Sequence, residues 1–103
     1  MDERTRAALE ASIQHWRENL AAETPEEADT SYPSCALCGE FRRLSGCDGC
    51  PVKTHSGRDF CGGTPYREAY CALMNWRLTK SSIDRDDFRV WAKAEVELLE
   101  SLR

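Results

Sequence analysis

The chain is short of the residues that break a polypeptide: 6 Gly and 4 Pro in 103 positions, with no low-complexity tract and no internal repeat. With 41% hydrophobic and 31% charged residues, that excludes a disordered tail and points to a globular protein. Long hydrophobic runs are missing too. No apolar stretch approaches the ~18–20 residues that a membrane-crossing helix needs, so no membrane partner is expected. The opening stretch MDERTRAALE lacks the apolar core of a secretory signal. A cytoplasmic location is therefore the expectation. In that reducing compartment, clustered cysteines serve as metal ligands or catalytic thiols more often than as disulfides.

Acidic charge is also scarce over the middle of the chain. Residues 1–34 hold 8 acidic and 3 basic side chains, residues 35–80 hold 4 and 7, and residues 81–103 hold 6 and 4, for a net charge of −4. Acidic ends around a basic middle argue against a simple nucleic-acid binder, because phosphate repels the molecule as a whole. A local contact through the basic middle remains open.

The length predicts one domain, residues 1–103. Within it, Leu9, Ile13, Trp16 and Leu20 recur at helical period, predicting an amphipathic helix over 3–22 whose narrow stripe packs on one surface. Thr24, Pro25 and Glu27 form a helix-start signature with no apolar periodicity after it, so a single helical turn is expected there. A second helix is expected over 65–80, with Thr64 as its cap and Pro65 as its first residue. One of its faces carries Tyr66, Ala69, Tyr70, Leu73, Trp76 and Arg77, and another Cys71, Met74 and Leu78, which makes it the candidate central helix. Asp84 and Asp87 repeat the cap-plus-acid pattern and predict a third helix over 84–102. The fold expected is mainly α: a three-helix small domain packed around Trp16, Trp76 and Trp91. Between helices 1 and 2 it carries an irregular zinc-knuckle or short β-hairpin insert over 35–63.

What this insert has is cysteine. Five of the six cysteines and all six glycines fall in 35–63, with little apolar content. Burial alone offsets too little conformational entropy to order such a segment, so a cross-link is required. Cys35-x2-Cys38 and Cys47-x2-Cys50 are two turns of the kind that bring paired thiolates to one tetrahedral ion, with Gly39, Gly49 and Gly62 beside or between the cysteines. A structural Zn2+ held by Cys35, Cys38, Cys47 and Cys50 is the favoured reading, with Cys61 as the alternative member. The loop between the pairs would then span a hairpin displaying Arg42 and Arg43. Disulfides and an iron–sulfur cluster are less favoured, although Cys50-Pro51 has a ferredoxin-like flavour. Cys71, well inside the second helix, reads as an inert core thiol. His15 lies off the apolar stripe and reads as a solvated surface residue; His55 reads as part of an exposed turn before Gly57, with a role as fourth ligand as the alternative.

Nothing in the chain marks it as an enzyme. His55 with Cys61 is the one nucleophile–base pairing to consider, and no orienting group accompanies it. Cys35-Ala36-Leu37-Cys38 lacks the βαβ setting of a thioredoxin motif, and an all-thiolate zinc is closed to substrate. Binding is left. Arg42, Arg43, Lys53, Arg58 and Arg67 lie around the insert, interleaved with Phe41, Phe60 and Tyr66. That mixture suits nucleic acid and equally suits a solvated rim over core aromatics.

The series Cys35-x2-Cys38, then Cys47-Asp-Gly-Cys50-Pro51-Val52, then Cys61-x-Gly63-Thr64-Pro65-Tyr66 resembles small cysteine-rich proteins encoded by bacteriophages and prophages and of unassigned function. The likeness spans residues 35–66 and the preceding helix IQHWRENL. It implies phage origin, a bacterial host cytoplasm, zinc binding, and added weight on Cys61 as a ligand. The resulting expectation is a non-enzymatic, zinc-stabilised accessory protein. It would bind and modulate a host or phage protein complex, a host-defence system being one such target. A nucleic-acid-binding zinc-finger module is the alternative.

Overall fold

The computed structural model describes residues 1–31, 36–41, 49–58, 61 and 63–103, the side chains of Cys38 and Gly39 excepted. Three long helices dominate: α1 (Glu3–Ala21), α4 (Tyr66–Thr79) and α5 (Ser82–Ser101). Two short helices, α2 (Ala36–Phe41) and α3 (Pro51–Ser56), belong to the cysteine-rich insert, and a 3-10 turn spans Pro25–Glu27. No strand occurs among the described residues, and none of their helices is long and apolar enough to cross a membrane.

Local chemistry sets the helix ends. Asp2 caps α1 by accepting the Thr5 amide at 2.7 Å. Thr64 accepts the Tyr66 amide at 3.3 Å and donates its hydroxyl to the Cys61 carbonyl at 2.6 Å, fastening the start of α4 to the turn before it. The start of α5 lies upstream of the Asp84 expected from sequence. Ser81 is the cap, accepting the Asp84 amide at 3.2 Å, while the Asp84 carboxylate turns back onto the Thr79 and Ser81 hydroxyls. Only Lys80 and Ser81 separate α4 from α5, and Lys80 takes the left-handed conformation (φ 55°) that lets the chain reverse. The two helices therefore pack as an antiparallel pair, and α1 lies across α5 with α2 against it.

The core runs through Leu9, Ile13 and Trp16 of α1, Leu73 and Trp76 of α4, and Phe88, Val96 and Leu99 of α5. Trp76 and Phe88 meet with ring centroids 5.7 Å apart, and Trp16 meets Tyr66 edge-on at 6.2 Å. Three expectations change here. Trp91 is only half-buried at the margin of the core rather than central. The buried face of α1 is wider than its apolar stripe, because Ala8, Ser12 and Asn19 are buried with it, so α1 serves more than one surface. Cys71 is exposed, not a core thiol: α4 turns Ala69, Ala72, Leu73 and Trp76 inward, which leaves its second apolar face outside.

The segment after α1 is held by side chains rather than by secondary structure. Asn19, 1% exposed, donates from Nδ2 to the Asp29 carbonyl and accepts the Asp29 amide on Oδ1, both at 3.0 Å. His15 Nε2 donates to the same carbonyl at 2.8 Å, so this histidine is a half-buried fastener rather than a solvated residue. From α4, Arg77 donates to the Ala28 carbonyl at 3.3 Å and the Tyr66 hydroxyl to the Thr30 carbonyl at 2.5 Å. Three consecutive carbonyls are thus satisfied from two helices.

Asn19→Ala, which removes both halves of the Asp29 pair in a buried setting, is expected to lower unfolding free energy by about 2–3 kcal/mol in urea titration monitored by circular dichroism. His15→Phe keeps the ring and loses one donor, and should cost about 1 kcal/mol. On the acid side, Arg103 donates to both oxygens of Glu10 at 2.9 Å, and these hydrogen bonds hold the Glu10 carboxyl below its ordinary range. A depressed folded-state value stabilises the fold above the ordinary glutamate value of about 4.3 and stops doing so as pH falls through the lower folded value. The drop in melting temperature on acidification through that window should be shallower in Glu10→Gln than in the parent chain.

Candidate metal centre and its surroundings

Four of the nine residues expected to bind lie outside the described residues: Cys35, Cys47, Arg42 and Arg43. Phe60 does as well. Cys38 lies in α2, one turn before Phe41. Cys50, Cys61, Lys53 and Arg58 are described in full.

The described parts of the insert are helical, and most of the loop between the Cys-x-x-Cys pairs, where a zinc knuckle or short hairpin was expected, lies outside the described residues. Gly39, Glu40 and Phe41 complete α2, and Pro51 opens α3, whose missing amide hydrogen costs nothing at a helix start. Each short helix drives one aliphatic side chain into the core, Leu37 from α2 and Val52 from α3, both 2% exposed. The buried Ser12 hydroxyl accepts the Leu37 amide at 3.1 Å, tying the start of α2 to α1. The insert thus has more burial behind it than its composition suggests, although the segments that carry the cysteines stay short.

Cys50 is buried at the N-cap of α3, where its carbonyl accepts the Thr54 amide at 3.0 Å and the Thr54 hydroxyl at 3.2 Å. Gly49, just before it, has φ 87°, a conformation that side chains with a Cβ rarely adopt. A Cβ on Gly49 would stand 3.3 Å from the Phe41 ring. Glycine at this point lets Phe41, at the end of α2, lie over the turn that leads through Cys50 into α3. Cys61 is half-buried against the core at φ 59°, in the turn that Thr64 fastens to α4.

These features fit a metal with thiolate ligands. Glycine in the left-handed region inside Cys-x-x-Cys is what a tight thiolate turn needs, and thiolates are the ligands zinc takes in closed sites. Among the described residues no three His, Cys, Asp or Glu side chains gather, and only two of the five expected ligands have described side chains.

His55, exposed on α3, lines a cleft of about 570 Å³ together with Asp2 and Thr5 of α1, Thr54, and Ser101 and Leu102 beyond the far end of the core; Cys61 is not among its walls. Arg58 lines a different cleft of about 480 Å³, with Gly63, Thr64, Pro65, Arg67, Glu68 and Trp91. Lys53 is half-buried on α3. The sequence grouped Arg58 and Arg67 with the basic residues around the insert and placed Trp91 in the core. The signal for their convergence was weak, because it depends on the packing of α5 beside the start of α4.

Gly49→Ala places a Cβ against Phe41 and forces a strained backbone, so it should destabilise the chain by about 2 kcal/mol or more. Gly57→Ala is the control. It has φ 74° but nothing within 4 Å of the added carbon, so the backbone term alone, about 1 kcal/mol, is expected in the same denaturation assay. No known protein family, curated protein or solved structure matches this chain, so its function rests on its own residues.

Proposed function

We propose that the chain is a zinc-stabilised helical protein that acts by binding a protein complex of a bacterial host or its phage, without catalysis of its own. The observation that carries the zinc reading is the Phe41 ring lying on Gly49, which draws together the two short helices that bear or adjoin the Cys-x-x-Cys pairs. Cys35, Cys38, Cys47 and Cys50 would hold the ion, with Cys61 able to take the place of one of them. Bound there, zinc would supply a neutral-pH cross-link between thiolates and an ordering free energy for the insert. The short helices, Leu37 and Val52 dock that insert on the core whichever four cysteines are used.

The binding reading rests on the outer face of α4. Cys71, Met74 and Leu78 follow one another at helical spacing on the side away from the core, and Leu78 is 82% exposed. Tyr70 flanks the row at 45% exposure. Exposed apolar side chains gathered on one helix face are the kind of patch that marks a protein contact. Modulation of a host-defence complex is one form such a contact would take, in keeping with the phage-like cysteine pattern.

Native mass spectrometry of the purified chain should give one zinc per molecule. Cys50→Ser should lose it, and among Cys35, Cys38, Cys47 and Cys61 three further changes should do the same, while Cys71→Ser keeps it. Retention of zinc by every single Cys→Ser variant, or absence of metal from protein made in zinc-replete medium, would remove the zinc reading. For binding, Met74→Asp with Leu78→Asp should abolish co-purification of bacterial or phage proteins without changing the helical circular-dichroism signal. Unchanged co-purification would move the contact elsewhere.

A further inference from the structure

The cleft of about 480 Å³ beside the start of α4 has a chemistry that neither the core nor the metal centre accounts for. Two guanidinium groups line it, from Arg58 and Arg67, and among the described residues neither pairs with a carboxylate. The Arg58 stem runs beside Gly63: its Cδ lies 3.5 Å from where a Cβ of Gly63 would stand, an ordinary packing distance. Trp91 contributes an aromatic surface. Trp16 and Trp76 are each 2% exposed, whereas Trp91 is half-buried and so still reachable from solvent. Glu68 completes the ionisable lining with one carboxylate.

We infer that this cleft binds a nucleoside phosphate of mononucleotide size, with the base on the Trp91 ring and the phosphate on Arg58 and Arg67. Arginine presents a planar fork suited to phosphate oxygens, and indole offers a stacking surface that any base can use. Glu68 sets the ligand apart from bare phosphate. With one carboxylate against two guanidinium groups the lining has little net charge, while that carboxylate can accept hydrogen bonds from sugar hydroxyls or a base amino group. A nucleic-acid strand fits less well. The chain carries a net charge of −4, and binding that tracks a phosphate backbone depends on extended positive charge. The inference is independent of the protein-binding reading, since the ridge of Cys71, Met74 and Leu78 is not part of the cleft lining.

The test uses the full chain, purified with its metal, and ADP, GDP and CDP as probes. The three tryptophans give three indole N–H signals in a nitrogen–proton correlation spectrum. One of them, the signal missing from Trp91→Phe, should shift saturably with at least one nucleotide at a Kd below about 1 mM. Arg58→Ala and Arg67→Ala alter exposed side chains and should leave the spectrum folded while weakening binding about tenfold each. Adenosine and inorganic phosphate, each carrying half of the recognised chemistry, should also bind about tenfold or more weakly than ADP. Three results would overturn the inference: no saturable indole shift with any of the three nucleotides, binding unchanged in the Arg58→Ala, Arg67→Ala double variant, or tighter binding of single-stranded oligothymidylate than of any mononucleotide.

Discussion

The backbone of Ala28, Asp29 and Thr30 has no helix or sheet to satisfy it, and the fold depends on how that need is met. Buried carbonyls without partners are costly. Here Arg77 takes the first, His15 and Asn19 the second, and Tyr66 the third, with Asn19 also accepting the Asp29 amide. These donors come from α1 and α4, so the segment joins two helices that are distant in sequence. Its course then sets where the chain enters the cysteine-rich insert. A loop of this kind would otherwise be the part of the molecule most prone to local opening.

The insert solves a related problem with different means. Its helices are too short to be stable by themselves, so each is anchored at a few points: Leu37 and Val52 in the core, the Leu37 amide on the Ser12 hydroxyl, and Phe41 over Gly49. Of the described cysteines in the insert, Cys38 lies within α2, Cys50 caps α3 and Cys61 sits in the turn before α4. Just past α3, Arg58 runs beside Gly63 and lines a cleft whose wall also includes Trp91.

Much of the helical framework was legible in the chain. The apolar periods of residues 3–22, 65–80 and 84–102 correspond to α1, α4 and α5 to within a few residues, because long amphipathic stretches carry their signal many times over. The single turn at Pro25–Glu27 was legible for a local reason, since proline at the first position and acids after it suit a helix start. The start of α5 was harder. Ser81, Ser82 and Asp84 are all competent caps, and the one used is the one compatible with the reversal at Lys80. The cysteine spacing displayed the candidate ligands, and the two-residue separation in each pair needs no knowledge of distant contacts.

The sequence by itself determined the three long helices and which thiols are close enough along the chain to act in pairs, because both follow from patterns repeated over neighbouring residues; the short helices α2 and α3 were not legible in it. Only the tertiary structure decided which faces turn inward. On α4 two apolar faces compete, and periodicity gives their angle to one another but not which of them meets α5, so Cys71, Met74 and Leu78 stay outside. On α1 the polar Ser12, His15 and Asn19 turn toward the protein because unsatisfied amides and carbonyls of other segments lie there. Trp91 likewise lies at the margin of the core, on the wall of a cleft. Burial and hydrogen-bond partnership are properties of chain segments brought together from far apart, and no local pattern records them.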